Sequence, residues 1–159
     1  MVLKGSTYSN LSNTEAFGSI LKTPEGLMKE SKAHILVVDD DETNRMVVQM
    51  LMQMRGYYVR QASSGEECLK LINLHQFDLI LMDLSMPKMD GFETATKIKA
   101  MNGLNSDTII YALSAHTTPN DREKCELSGM LGLIPKPFDS DRANQVDEIF
   151  LSLQLGGVN

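Results

Sequence analysis

Five polar residues of this sequence directly follow or end apolar runs, which is where reactive side chains are expected if the runs are strands. They are Asp39, Asp40, Asp83, Ser114 and Lys136. The runs before them have the length and composition of strands buried on both faces of a parallel sheet. Parallel strands end at the same edge of a sheet, and ligands of open α/β folds bind there. The five side chains are therefore expected to converge on one site.

The chemistry of such a site follows from its residue types. Carboxylates that lie close together repel one another, and a hard divalent cation with oxygen ligands keeps them ionised. Mg²⁺ or Mn²⁺ suits these ligands. Lys136 can pair with a carboxylate or a phosphate, and Ser114 offers a hydroxyl to a bound oxygen. Such a set can accept a phosphoryl group on a carboxylate, which would give an aspartyl phosphate.

Strand and helix patterns alternate five times between these residues. The predicted strands cover residues 35–38, 57–62, 77–82, 108–113 and 131–135. This alternation predicts an α/β fold, a doubly wound five-stranded parallel sheet with helices on both faces. In the first helix, a face made of Met46, Val47, Met50, Leu51 and Met54 is predicted to pack into the core, with the methionines as filler.

Composition limits the remaining possibilities. The 159 residues, 42% of them hydrophobic, suffice for one domain. A net charge of -6 and a pI near 5.0 argue against nucleic acid as a ligand. Cys68 and Cys125 are expected to be reduced core thiols. Without a membrane-length apolar run or a signal sequence, the protein is expected to be soluble and cytoplasmic, with no direct membrane contact.

The domain boundaries follow from composition and pattern. Residues 1–32 are rich in Ser, Thr, Asn and Gly and are predicted to be a flexible leader or linker. The folded domain is predicted to cover residues 33–155. Residues 156–159 are predicted to form a frayed tail.

Four motifs occur in order at the predicted strand ends: VVDDDETNR, LILMDLSMPKMDGFE, ALSA and PKPF. Together they resemble the receiver, or response-regulator, domain of two-component and phosphorelay signalling, from about His34 to Leu155. The resemblance implies a flavodoxin-like (βα)5 fold with strand order 2-1-3-4-5. It also implies a signalling phosphoacceptor that catalyses only its own phosphorylation and dephosphorylation. The phosphoryl donor would be a histidine kinase or a histidine-phosphotransfer protein.

The resemblance also implies a role for each site residue. Asp83 would be the phosphoacceptor, Ser114 the switch hydroxyl and Lys136 the phosphate-pairing ammonium, followed by a cis peptide at Pro137. The implied metal ligands are Asp39, Asp40, Asp83 and the backbone carbonyl of Ser85. Ser85 and His116 occupy positions that tune the lifetime of the phosphate. Receivers usually carry Tyr or Phe three residues before the lysine, whereas this chain has Leu133, so a switch by ring rotation is not predicted.

Other interpretations remain open at this point. Asp39 to Thr43 also satisfies the D-x-D-x-T pattern of haloacid dehalogenase-like phosphatases, in which Asp39 would be the nucleophile. A pseudo-receiver that only docks a partner is a further alternative. The sequence does not choose between a single-domain relay protein and the terminal receiver of a hybrid histidine kinase, which includes membrane-bound sensors. A monomer or a weak dimer is expected.

Overall fold

The computed structural model describes residues 33–156 and has the α/β fold predicted from the sequence. The strands are β1 (His34–Val38), β2 (Tyr58–Ala62), β3 (Leu79–Asp83), β4 (Ile109–Ser114) and β5 (Gly132–Pro135). The helices are α1 (Glu42–Gln53), α2 (Gly65–Leu74), α3 (Gly91–Ala100), α4 (Pro119–Leu127) and α5 (Ser140–Gly156). All strand pairs are parallel, and the strand order is β2-β1-β3-β4-β5. The implied order 2-1-3-4-5 is confirmed.

Two apolar layers cover the two faces of this sheet. Successive residues of a strand point to opposite faces, so Leu36 and Ile80 belong to one layer, and Ile35 and Leu81 belong to the other. The first layer includes Cys68 of α2, Ile98 of α3 and Cys125 of α4. The second includes side chains of α1 and α5, among them Val48, Met52, Val146 and Ile149. Helices therefore cover both faces, and the polar residues at the strand ends are left at the sheet edge.

The predicted inner face of α1 is wrong for its three methionines, whereas Leu51 packs against the core as predicted. Val48 and Met52 are its buried residues, whereas Met46, Met50 and Met54 are 58%, 55% and 77% exposed. Six of the seven residues 46–52 are apolar, so two different helical faces satisfy the same periodicity. Only the packing of α1 against the sheet decides between them. These methionines therefore form an apolar surface instead of filling the core.

Side-chain caps start the helices next to the carboxyl edge of the sheet. The Asp41 carboxylate accepts from Asn44 N at 2.8 Å, at the start of α1, and the Asp90 carboxylate accepts from Glu93 N at 2.8 Å, at the start of α3. Each cap satisfies one of the backbone N–H groups that the first turn leaves without a partner. Both caps belong to the loops that also carry site residues. The loops at this edge are thus anchored to their helices.

Asn105 ties two loops together at the opposite edge of the sheet. Its side chain donates to the carbonyls of Ile72 and His75 at 2.6 and 2.7 Å, and accepts from Phe77 N and Thr108 Oγ1 at 2.8 and 2.9 Å. All four hydrogen-bonding positions of this buried amide are used. The sequence analysis did not identify this residue. It lies at the amino end of β3 and β4, away from the polar strand ends.

Some expectations concern residues outside the described part of the chain. The predicted leader of residues 1–32 and the tail residues 157–159 lie outside the described residues. Within residues 33–156, α5 continues to Gly156, and no helix is long and apolar enough to cross a membrane. Cys68 and Cys125 are both free and buried, as expected for core thiols. Burial raises the pKa of Cys68 to about 12, so this thiol is protonated at neutral pH.

Candidate functional site

The five polar strand-end residues line one cavity at the carboxyl edge of the sheet. Its volume is about 220 Å³. The residues that line it are Asp39, Asp40, Asp41, Asn44, Asp83, Ser85, Ser114, Ala115, His116 and Lys136. The parallel register explains this convergence, because β1, β3 and β4 end side by side at Val38, Asp83 and Ser114. Residues separated by nearly a hundred positions in the sequence thereby share one site.

Lys136 joins two of the carboxylates. Its ammonium donates to Asp39 Oδ2 at 2.9 Å and to Asp83 Oδ1 at 3.0 Å. Burial disfavours the ammonium charge, but the hydrogen bonds to Asp39 and Asp83 outweigh burial and raise the pKa of Lys136. Lys136 therefore stays charged at neutral pH and compensates part of the negative charge at this edge.

The two buried carboxylates, Asp39 and Asp83, differ in how their oxygens are used. Asp39 Oδ1 accepts from Asp41 N at 2.9 Å and Asp39 Oδ2 accepts from Lys136, so each oxygen of Asp39 has one hydrogen-bond donor. Asp83 Oδ1 accepts from Lys136 and, at 3.3 Å, from Ser85 N. Among residues 33–156, no group donates a hydrogen bond to Asp83 Oδ2. Asp83 is thus the buried carboxylate with one oxygen left for a ligand.

Burial sets the protonation behaviour of Asp83. Its pKa is raised above the ordinary value of 3.8, mainly because burial disfavours the charged carboxylate. The hydrogen bond from Lys136 acts in the opposite direction, and the charge of Asp39 adds to the increase. The ion pair alone would raise the pKa of Lys136 and lower the pKa of Asp83. Because burial outweighs the ion pair at Asp83, the pKa values of both partners are raised.

The donor set fits a divalent cation. One carboxylate oxygen from each of Asp39, Asp40 and Asp83 lies within 4.8 Å of the other two. Asp39 and Asp83 are buried and Asp40 is exposed, so the group opens toward solvent on one side. Hard oxygen ligands of this kind suit Mg²⁺, which keeps several of its waters when it binds. Ser85 lines the same cavity, and the role of its carbonyl as a ligand stays a prediction.

Ser114 and His116 lie on the β4 side of the cavity. The Ser114 hydroxyl is buried at the end of β4, and its Oγ accepts from His116 N at 3.0 Å. Because Oγ is the acceptor in this bond, the hydroxyl proton remains available to another oxygen. The His116 side chain is exposed at the cavity rim. The structure therefore brings both predicted residues to the site.

The loop after β3 holds Asp83 through a close backbone approach. Gly91 N donates to Leu84 O at 3.1 Å, and a Cβ at position 91 would clash with the backbone carbonyl of Asp83. Glycine is therefore required here for steric reasons. In the same loop, Lys88 adopts a φ of +68°, a conformation that non-glycine residues seldom adopt. The MPKMDG segment thus positions the backbone that carries Asp83.

Two further predicted positions lie on β5 or directly after it. Leu133 is 5% exposed and belongs to the buried cluster that includes Ile110, Ala112 and Cys125. Its side chain is aliphatic and already inside the core, so a switch by ring rotation has no group to act on. The peptide between Lys136 and Pro137 is cis.

Arg45 contacts the backbone of Asp39 and is itself bonded to Gln61, and the sequence analysis missed both residues. Arg45 Nη1 donates to the backbone carbonyl of Asp39 at 2.7 Å, and Arg45 Nε donates to Gln61 Oε1 at 3.1 Å. Both side chains are half-buried. A possible signal was the position of Arg45 one turn after the acidic cap, next to an otherwise apolar run. The partner on β2 depends on strand register and gives no local signal.

This sheet order and edge chemistry define a class of phosphoryl-accepting signalling domains, and comparisons with known proteins agree. The model of the response regulator receiver domain matches residues 35–151. The chain is 33% identical over 120 residues to the sensor protein EvgS of Escherichia coli K12, and 35% identical over 122 residues to ethylene receptor 2 of Oryza sativa subsp. japonica. Each match covers 76% of this chain, but 10% of the first relative and 16% of the second.

A solved structure has the same fold. The chemotaxis protein CheY4 of Vibrio cholerae superimposes with a TM-score of 0.69 at 30% identity, covering 73% of this chain and 96% of that one. This chain belongs to the response regulator receiver domain family. It therefore contains the receiver module of two-component signalling. It spans only a small part of the sensor proteins that it matches.

Proposed function

We propose that Asp83 accepts a phosphoryl group from a phosphohistidine donor and that the resulting charge changes the conformation around Ser114. The main support for this proposal is the difference in hydrogen bonding between the two buried carboxylates. Asp83 keeps Oδ2 without a hydrogen-bond donor among residues 33–156, whereas each oxygen of Asp39 accepts a hydrogen bond. A nucleophile needs an oxygen with an available lone pair that faces the ligand cavity. This contrast supports Asp83 as the acceptor and Asp39 as a supporting carboxylate.

The transfer is balanced with respect to atoms and charge. Asp83 Oδ2 forms the new bond to phosphorus as the phosphorus–nitrogen bond of the donor breaks. The imidazole nitrogen keeps the electron pair of the broken bond, and the proton already on the other ring nitrogen lets the ring leave as neutral imidazole. The product is an acyl phosphate on Asp83. Little covalent chemistry is required of the protein, so positioning and charge stabilisation dominate.

Each surrounding group has a defined task in this proposal. Asp39, Asp40, Asp83 and the carbonyl of Ser85 would hold Mg²⁺ or Mn²⁺, which supplies positive charge to the phosphoryl oxygens when bound. Lys136 would move its pairing from the carboxylates to a phosphoryl oxygen. The proton of Ser114 is available for another of these oxygens. Ser85 and His116, at the rim, would govern access of water to the acyl phosphate and so its lifetime.

Self-catalysed phosphorylation and slow hydrolysis of the acyl phosphate are the only reactions in this proposal. The alternative phosphatase interpretation needs Asp39 as a nucleophile. Asp39 Oδ2 pairs with Lys136 and Asp39 Oδ1 accepts from Asp41 N, so each oxygen of Asp39 already has a hydrogen-bond donor, which favours Asp83 as the nucleophile. The family membership also favours the receiver over the phosphatase.

The exposed methionines of α1 supply a surface for the donor. Met46, Gln49, Met50, Gln53 and Met54 line a shallow groove on this helix, here called the α1 groove. Exposed apolar side chains grouped on one helix are typical of protein-binding surfaces, and methionine adapts to different partners. We propose that a histidine kinase or a histidine-phosphotransfer protein docks on the α1 groove, in the cytoplasm. The donor either acts in trans or belongs to a longer polypeptide that carries this domain.

Phosphotransfer rates test the docking surface. Met46→Ser and Met50→Ser should each slow transfer from a matched phosphohistidine donor, while labelling by acetyl phosphate stays unchanged because the small donor needs no docking. Leu104→Ser is a matched control, since Leu104 is 59% exposed and lies in the loop between α3 and β4, away from the groove. Unchanged transfer in both methionine variants would contradict this docking surface.

Beryllofluoride, a mimic of the phosphoryl group, tests the acceptor site itself. With Mg²⁺, it should shift the backbone amide resonances of the residues around Asp83, Ser114 and Lys136 in the native protein. Asp83→Asn should abolish the shifts, because the acceptor oxygen is replaced by an amide. A spectrum that does not change with beryllofluoride would support a docking pseudo-receiver instead.

A further inference from the structure

Arg45 holds the backbone of the acidic pair Asp39 and Asp40 and is not among the residues that line the cavity. Its guanidinium reaches from α1 to two acceptors, the carbonyl of Asp39 at 2.7 Å and the side-chain oxygen of Gln61 at 3.1 Å. Gln61 is itself fixed, because its amide nitrogen donates to Gln49 Oε1 on α1. Arg45 therefore links α1, the end of β1 and the end of β2.

The Asp39 carbonyl is a sensitive point for this contact. It belongs to the peptide that joins Asp39 to Asp40, and the plane of that peptide sets the direction in which Asp40 leaves the strand. The other polar atoms of Asp39 are also held, its amide by Ala62 O at 3.1 Å and its carboxylate by Asp41 N and Lys136. The carbonyl contact from Arg45 completes this set.

Asp40 has no such restraint of its own. It is exposed, and among residues 33–156 its side chain makes no hydrogen bond or ion pair. Its carboxylate nevertheless comes within 4.8 Å of oxygens of Asp39 and Asp83. The position of the Asp40 side chain thus depends on its backbone, and that backbone is held through the peptide contacted by Arg45.

We propose that Arg45 is a positioning residue for the divalent cation, acting through the Asp39–Asp40 peptide to preset the spacing of the two carboxylates. The inference rests on the proposed use of Mg²⁺ at this site. Groups behind metal ligands orient them and typically change metal affinity by one or two orders of magnitude when replaced. Arg45 fills this position for Asp40 without contacting the cation.

The geometry favours a guanidinium over an ammonium. Two donors in a fixed planar fork can serve the Asp39 carbonyl and Gln61 together, whereas a lysine presents one compact group on a flexible stem. Within the described part of the chain, Arg45 makes no salt bridge to a carboxylate. Its charge acts on Glu67 only at longer range, and its hydrogen bonds go to a backbone carbonyl and a side-chain amide. A lysine at position 45, which keeps only the charge, should therefore not substitute for the arginine.

Calorimetric titration with Mg²⁺ tests this inference in the full chain. Arg45→Lys, which keeps the charge, and Arg45→Gln should each raise the dissociation constant for Mg²⁺ by about tenfold or more. Gln61→Leu, which removes the second anchor of the guanidinium, should raise it in the same direction by about threefold. If an Arg45 variant fails to fold, the Gln61 variant alone still decides the result.

Arg55→Lys is the matched control. Arg55 follows α1 and bonds to Asp147 and Asn144 on α5 at 3.0 and 2.7 Å. Its replacement therefore disturbs a comparable set of guanidinium hydrogen bonds that does not include Asp39 or Asp40. Arg55→Lys should lower the melting temperature and leave Mg²⁺ affinity unchanged. Native affinity in the Arg45 variants, or an equal loss in Arg55→Lys, would overturn the positioning role. Failure of the native protein to bind Mg²⁺ would instead contradict the proposed function.

Discussion

Lys136 Nζ lies 3.0 Å from Asp83 Oδ1, and this bond leaves the second oxygen of Asp83 without a donor among residues 33–156. The same ammonium lies 2.9 Å from Asp39 Oδ2. Lys136 therefore performs two tasks, since it compensates two buried acids in the absence of a cation and it orients the acceptor carboxylate. The following predictions separate these two tasks.

Lys136→Met should lower the free energy of unfolding at neutral pH by about 2 kcal/mol, because two buried carboxylates lose their charged partner. The pKa of Lys136 is raised in the fold, so its stabilising contribution is fully present below the ordinary value of 10.5 and is lost as the pH rises through the folded-state pKa. Urea unfolding measures the change. Saturating Mg²⁺ should reduce the deficit.

Lys97→Met is the control for this experiment. Lys97 pairs with Glu93 at 3.1 Å, but both side chains are about half exposed, and such a pair contributes about 0.5 kcal/mol at most. Equal destabilisation by the two substitutions would contradict the role of Lys136 as the compensating charge. A Lys136→Met deficit that does not respond to Mg²⁺ would do the same.

Asp83→Asn should raise the melting temperature by about 4 °C, which corresponds to about 1 kcal/mol. The pKa of Asp83 is raised in the fold, so its contribution to stability is fully present below the ordinary value of 3.8 and is lost as pH rises through the folded-state pKa. The amide avoids this loss. The gain should therefore appear at neutral pH and vanish near pH 3, as thermal unfolding at several pH values can measure.

Mg²⁺ provides the counter-test for the same variant. The cation should stabilise the native protein more than Asp83→Asn, because the amide removes one anionic ligand. If Asp83→Asn is less stable than the native protein at neutral pH without metal, the account of a desolvated carboxylate is wrong.

Gly91→Ala should destabilise the protein by about 2 kcal/mol and reduce phosphorylation, because the new Cβ would meet the backbone of Asp83. The Asp83 carbonyl carbon would lie only 3.0 Å from that Cβ. Thermal unfolding and acetyl phosphate labelling report the two effects. Gly103→Ala is the matched control, since nothing lies within 4 Å of a Cβ placed there. Native labelling in Gly91→Ala would show that the loop does not position Asp83.

Asn105→Ala should cost about 3 kcal/mol of unfolding free energy and leave the fraction phosphorylated by acetyl phosphate unchanged. The substitution removes four hydrogen bonds at the amino edge of the sheet and leaves buried backbone groups without partners. Urea unfolding gives the energy, with the exposed Asn102→Ala as the control. A labelling defect at a temperature where Asn105→Ala is fully folded would show that the two edges are coupled.

The sequence predicted the sheet and the members of the site because both depend on local patterns. Apolar runs ending at Asp83 and Ser114 identify strand ends, and parallel strands bring those ends together. The burial of α1 was not predictable in this way, since residues 46–52 are apolar on nearly all sides. The contacts of Arg45 were not predictable either. They require the register that places Val38 beside Ala62, and so brings Gln61 to the acids.

Phosphorylation by acetyl phosphate in the presence of Mg²⁺ tests the central claim most directly, with peptide mass spectrometry to locate the modified residue. The native protein should carry one phosphoryl group on Asp83, and Asp83→Asn should carry none. Asp39→Asn should be labelled slowly, and still on Asp83, because it loses a supporting carboxylate and not the nucleophile. Label that persists in Asp83→Asn and disappears in Asp39→Asn would contradict the assignment of Asp83 as the acceptor.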